Sequence, residues 1–262
     1  IILEHASWRT AWIYISGTSI FIAIIAAIFL RNRPEEIGQS IDGAVTERNN
    51  PLASSDKQKS GRKQGLIGKF VNVRQAVLTP QFLIATFADV ANAVPWRVIT
   101  AHGRLHLENL GFAPTVAAAI LGVRVGVSGF GRLSGAISDF LPPTLVMALS
   151  LALTAVGLGT FSFVQSSNGA YLCVLLMGIG YGGAFTTIPV VFGSFFGRES
   201  FVSTAGLRVA ITGVVGFFGA SWAGAVADKT GSYTFVLIAL SALCILGAIS
   251  IFFCPGFARS KG

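Results

Sequence analysis

Asp89 and Arg124 are ionisable residues set inside long apolar runs. A guanidinium in such surroundings grips a carboxylate or another anion through charge-assisted, often bidentate hydrogen bonds, and a sheltered carboxyl group can take or release a proton. Asn92 lies one helical turn beyond Asp89 on the same face. Arg97 stands eight residues past Asp89, about 12 Å at helical rise, and follows Pro95, while Arg208 falls near the end of a later apolar run. Both are spaced so that a long side chain can snorkel to a surface. Tyr181, Thr186 and Thr187 offer neutral hydroxyls on a glycine-rich run and serve hydrogen bonding or packing equally well. Two readings stand side by side: Asp89 and Arg124 pair to hold two helices together, or Arg124 binds an anionic solute while Asp89 exchanges a proton.

Other patterns carry less. His102 and His106 have i,i+4 spacing with Glu108 nearby, but Gly103 between them and a short loop favour a solvated turn over a metal site. The string Gly178-Ile179-Gly180-Tyr181-Gly182-Gly183 satisfies a dinucleotide fingerprint that has meaning only between a strand and a helix of a soluble unit. Here it sits in an apolar run, where small residues four apart, Gly178 with Gly182 and Gly122 with Gly126, let helices approach closely. Cys173, Cys244 and Cys254 have no metal-type spacing and read as small packing residues. No nucleophile with a base and no nucleotide loop is visible, so neither an enzyme nor a cofactor is expected.

The elements that position these residues must cross a membrane. Residues 140–197 contain no charge at all. Lipid offers the backbone no partners, so a bilayer core of about 30 Å is crossed by helices of roughly 20 apolar residues. Composition agrees: 53% of residues are hydrophobic and 11% charged, against about 25% charged in soluble domains. The expected class is an all-α integral membrane protein with seven spans, near 11–30, 79–100, 113–130, 144–164, 171–192, 204–226 and 233–253. The first, fourth, fifth and seventh carry no charge, and the fifth holds the glycine-rich track. Ile1 is not a start methionine, and the chain reads as a fragment or processed piece.

Residues 31–76 interrupt the spans with Arg31, Arg33, Arg48, Lys57, Lys59, Arg62, Lys63, Lys69 and Arg74. Basic loops collect on the cytoplasmic side, and alternating the spans brings Arg132, Arg198, Arg259 and Lys261 to that same side, with Arg9, Arg104 and Lys229 opposite. The net charge of +8 therefore reports topology and contact with anionic lipid, and nucleic acid is not an expected partner. Leu66, Ile67, Phe70, Val73 and Val77 recur at helical spacing, as in a helix lying on the membrane surface or in a connector with a few apolar residues. Seven spans also suit a receptor or a retinal protein. The last span lacks the lysine that a retinal Schiff base needs, and the long basic interruption fits a receptor poorly.

Trp8-Arg9, then Leu30-Arg31-Asn32-Arg33-Pro34-Glu35-Glu36-Ile37-Gly38 and Asp42-Gly43, resemble the middle of a major facilitator superfamily transporter. The likeness continues through Arg74-Gln75-Ala76, Thr79-Pro80-Gln81-Phe82, the run from Gly131-Arg132-Leu133-Ser134-Gly135 to Ser138-Asp139, Gly178-Ile179-Gly180-Tyr181-Gly182, and Asp228-Lys229-Thr230-Gly231-Ser232-Tyr233. In order and spacing these resemble the monocarboxylate porter and oxalate/formate antiporter branches. The resemblance implies helices six to twelve of a twelve-helix fold: 1–30 as the last helix of the N-terminal bundle, 31–76 as the central cytoplasmic loop, and 77–262 as the C-terminal six-helix bundle. It implies that seven, eight, ten and eleven line a pathway, with six, nine and twelve as outer supports, and the spans matching those three carry no charge.

The same resemblance places Arg124 at the family's substrate arginine on helix eight. Thr212 occupies the place of a lysine on helix eleven of the oxalate/formate branch, with Arg208 one turn earlier as a substitute. That departure favours a monocarboxylate or another small organic anion over a dicarboxylate. Gly131, Arg132, Gly135, Asp139 and Asp228 match structural loop motifs, and Arg132 with Asp139 suggests a gating salt bridge, although Phe140-Leu141-Pro142-Pro143 stands where basic residues are usual. The implied activity is alternating access, with helices one to five of the same protein, the bilayer, a small anion and a proton as partners. The competing reading is a membrane interaction module, or a degenerate half-transporter, that moves nothing.

Overall fold

The computed structural model describes residues 8–29 and 76–254. The basic segment 31–74, with most of the surface helix or connector expected there, and Arg259 and Lys261 lie outside the described residues. Helix α1, Trp8–Phe29, stands alone in the first of two compact units and is apolar through Trp12–Ile28. The Thr18 and Ser19 hydroxyls return to the carbonyls of Tyr14 and Ile15, which hides their polarity within the helix.

The second unit is a bundle of six helices, each long and apolar enough to cross a membrane: α2 Pro80–Asn109, α3 Pro114–Ile137, α4 Pro143–Phe161, α5 Ser167–Gly197, α6 Ser200–Thr230 and α7 Thr234–Phe252. Three of them begin on proline, whose fixed φ suits the first turn and whose missing N–H costs nothing there. Thr79 caps α2 by accepting from the Phe82 amide at 3.2 Å, and Ser166 caps α5 by accepting from Gly169 at 3.2 Å. Gly231, at φ 71°, closes α6 in the left-handed conformation.

Two boundaries differ from the sequence expectation. Helix α2 runs to Asn109, nine residues past the expected end, because polar residues that lower hydropathy there still extend the helix. Arg104 and Glu108 pair at 2.6 Å across one turn, and His102 and His106 turn inward. The expected loop between the fifth and sixth spans is helical except at Gly197, where φ 66° and ψ 179° break the axis. Only glycine adopts that conformation at little cost.

Glycines set the closest contacts. A Cβ on Gly178 would come within 2.7 Å of the Arg124 carbonyl, and one on Gly182 would collide with that of Ser128, so α3 lies directly on α5. On the other side Gly180 meets Ser150 and Thr154 of α4. Gly122 and Gly126 do not share this role: nothing lies within 4 Å of a Cβ at either, because their face of α3 is uncovered among the described residues.

Pro95 lies inside α2 and lacks the amide that would bond the Ala91 carbonyl. That carbonyl instead accepts the Cys244 thiol of α7 at 3.1 Å. Apolar side chains form two core layers, one around Leu158, Phe161 and Leu237 and one around Phe82, Met147 and Phe192.

Candidate functional site

Residues of α2, α5 and α6 line a cavity of about 240 Å³. Asp89, Asn92, Trp96 and Arg97 of α2 line one wall, Tyr181 and Pro189 of α5 another, and Arg208 and Thr212 of α6 a third. On α2 the spacing is helical, with residues 89, 92 and 96 stacked along one face.

Asp89 is 5% exposed and is held from α6. Arg208 donates Nη1 to its Oδ2 at 2.6 Å, and the Thr212 hydroxyl donates to the same oxygen at 2.9 Å. The arginine is neither a surface group nor a spectator: its Nε is buried without a partner. The pairing of Asp89 with Arg124 weighed from sequence is absent. Arg208 takes that place because α2 packs against α6 along a track of small residues. Gly213 accepts from Arg97 Nη1 at 3.2 Å, Gly216 receives the Arg97 stem and Gly219 receives Val94. Arg97 therefore lies across α6 at the edge of the cavity, with its side chain exposed.

Arg124 is 2% exposed and faces α2. Its Nη2 donates to the Thr100 hydroxyl at 2.8 Å, its Cζ lies 3.8 Å from the centroid of the Trp96 ring, and its Nε has no partner. Tyr181 stacks on the same indole, with centroids 3.7 Å apart and planes 13° from parallel. A void of about 10 Å³, room for one water, adjoins Arg124 together with Asn92, Trp96 and Tyr181. The Asn92 Oδ1 is a buried acceptor with no partner.

The remaining sequence candidates lie elsewhere. The Thr186 hydroxyl bonds back to the Gly182 carbonyl at 3.1 Å and its side chain faces Gly135, while Thr187 bonds back to Gly183. Gly131 seats α3 against the Ile179 carbonyl. Arg132 sits 5.0 Å over the Phe185 ring and makes no ion pair with Asp139 among the described residues. Asp139 and Asp228 are exposed. Trp96 was not among the sequence candidates, although its place seven residues after Asp89 and four after Asn92 was the available signal.

The histidines are not in a solvated turn. His102 donates Nε2–H to the Ala220 carbonyl at 3.0 Å and accepts at Nδ1 from the Tyr233 hydroxyl at 3.2 Å, and His106 donates to the Phe161 carbonyl at 3.2 Å. Carbonyls only accept, which fixes both tautomers. They fasten the far end of α2 to α4, α6 and the start of α7. Among the described residues no cluster of three metal-ligating side chains forms.

A six-helix apolar bundle that buries Asp89 and Arg124 and lines a cavity with Asp89, Arg97 and Arg208 defines a polytopic membrane protein with a polar site between its helices. The profile of the Major Facilitator Superfamily matches residues 1–207. The chain belongs to that superfamily. It is 25% identical over 263 residues to monocarboxylate transporter 13 of Rattus norvegicus, covering 98% of this chain and 54% of the relative. To monocarboxylate transporter 13 of Bos taurus it is 25% identical over 272 residues, covering 99% and 57%. The chain thus spans a little over half the length of the relatives it matches.

Proposed function

We propose that this chain is the C-terminal portion of a secondary active transporter that moves a small organic anion, a monocarboxylate, by alternating access with proton coupling. One observation carries the reading: Arg97 and Arg208 share a cavity with a single carboxylate, Asp89, which leaves one positive charge for an incoming anion. Charges at such depth cost roughly 3 kcal/mol each on insertion scales and are kept where they bind or move something. The cavity is small beside the roughly 300–1,000 Å³ of drug-sized sites, as suits a short-chain acid. The names of the two relatives point to the same solute class.

In this reading Arg208 is the switch. An entering carboxylate competes with Asp89 for its guanidinium, and Asp89, released within a poorly solvated cavity, is stable only with a proton. Thr212 follows whichever oxygen Arg208 holds. Arg124 supplies the substrate arginine, with Asn92 and Tyr181 as neutral partners, and Thr186 supports α5 from behind. The motif residues Gly131, Arg132, Gly135, Asp139 and Asp228 frame the helix ends that rock. Helices one to five of the complete protein close the site against the uncovered faces of α3 and α6, with residues 31–76 as the cytoplasmic link. The test is uptake of a panel of small carboxylates into proteoliposomes holding the full-length protein, with and without an inward proton gradient. Accumulation driven by the gradient is expected, and a panel with no saturable uptake would overturn the proposal.

A further inference from the structure

Arg124 and the 240 Å³ cavity are neighbours divided by an aromatic wall. Asn92, Trp96 and Tyr181 border both that cavity and the small void beside Arg124, yet Arg124 itself does not line the larger space. Two groups lie within 4 Å of the Trp96 ring centre, the guanidinium at 3.8 Å and the Tyr181 ring at 3.7 Å, and two such groups must occupy opposite faces. The order is therefore guanidinium, indole, phenol. Arg124 has one hydroxyl partner, Thr100, and no carboxylate, so its charge is only partly compensated.

Resting on the transport reading above, we infer that Trp96 is the specificity-determining residue that governs which carboxylates reach Arg124. In the conformation described, the indole seals the guanidinium. A carboxylate that enters beside Arg97 and Arg208 reaches Arg124 when the indole leaves the stack, exchanging a cation–π contact for charge-assisted hydrogen bonds. The indole must then lie in the cavity alongside the solute, so its volume sets how large a solute fits. Trp96 stands one residue past Pro95, whose missing amide leaves the helix one backbone hydrogen bond short beside this movable side chain.

The test compares labelling of Arg124→Cys, in the full-length protein, by an anionic methanethiosulfonate the size of a short carboxylate, with the parent protein as background. Slow labelling is expected while Trp96 is present and at least ten-fold faster labelling in Trp96→Ala. Rapid labelling in both, or slow labelling in both, overturns the inference. Trp96→Phe keeps a stacking ring and is expected to label at an intermediate rate and, with Arg124 restored, to shift uptake toward bulkier carboxylates. An unchanged size preference in that variant also overturns it. Labelling needs no transport, so absent uptake by the wild-type protein would sink the transport reading while leaving the labelling ratio to judge Trp96 separately.

Discussion

Arg208 reaches across 119 positions of sequence to place Nη1 2.6 Å from Asp89 Oδ2. This ion pair joins α2 to α6 at the cavity wall, with Thr212 as the second donor. Removing one member of a buried pair typically costs about 3–5 kcal/mol, because the other is left charged and unpaired. Arg208→Ala is expected to lower the melting temperature of the purified full-length protein markedly. The double variant Asp89→Asn, Arg208→Gln should recover most of that stability while still failing to take up carboxylates, as read by thermal unfolding in detergent and uptake in vesicles.

Arg124 offers a planar group stacked on Trp96, which a lysine ammonium does not reproduce. Arg124→Ala should abolish anion uptake with expression preserved. Arg124→Lys should retain the charge and still lose roughly ten-fold or more in uptake efficiency, the equivalent of one good hydrogen bond. Initial rates over a range of solute concentrations decide it.

Protonation makes a separate prediction. In Asp89→Asn the site can no longer release a proton, so gradient-driven accumulation should disappear while solute exchange across the same membrane persists. Counterflow and gradient-driven uptake, measured on one preparation, separate the two.

Close packing on α5 predicts steep glycine effects. A methyl group at Gly182 meets the Ser128 carbonyl, backbone that cannot step aside, so Gly182→Ala should destabilise by about 1–3 kcal/mol, the usual range for overpacking. Gly126→Ala meets open space among the described residues. A loss of stability from Gly126→Ala in the complete protein would reveal another helix seated on that face.

The clamp at the other end of α2 is milder. Tyr233→Phe removes the hydrogen bond to His102 Nδ1 and should cost about 1 kcal/mol, visible as a small drop in melting temperature.

Much of this was legible in the chain itself. Runs of apolar residues locate six helices long and apolar enough to cross a membrane, with the shorter apolar helix Trp12–Ile28 where a first span was expected, and the small-residue spacing of Gly178 and Gly182 announces a close helix contact. Asp89 and Arg124 stand out because charge at that depth is costly. The partner of Asp89 was not legible, since Arg208 is as plausible a surface cation as a buried one until the glycine track of α6 is seen to receive α2. Arg97 is exposed, as a residue able to snorkel should be, and its contact with the Gly213 carbonyl is the part that spacing does not show. The place of Trp96 in the site arises from what lies on its ring, Arg124 and Tyr181, which the sequence does not show. The inward turn of His102 and His106 depended on α2 continuing past the point where hydropathy fails.

Gly197 lends the bundle a mechanical property. It is the corner at which the helix bearing Tyr181 gives way to the helix bearing Arg208, with only residues 198 and 199 between their bounds. Two walls of the cavity therefore share one pivot, and leverage applied to either is passed to the other through a single pair of dihedral angles. Stiffening that corner with a side chain would be felt as slower turnover before any loss of affinity.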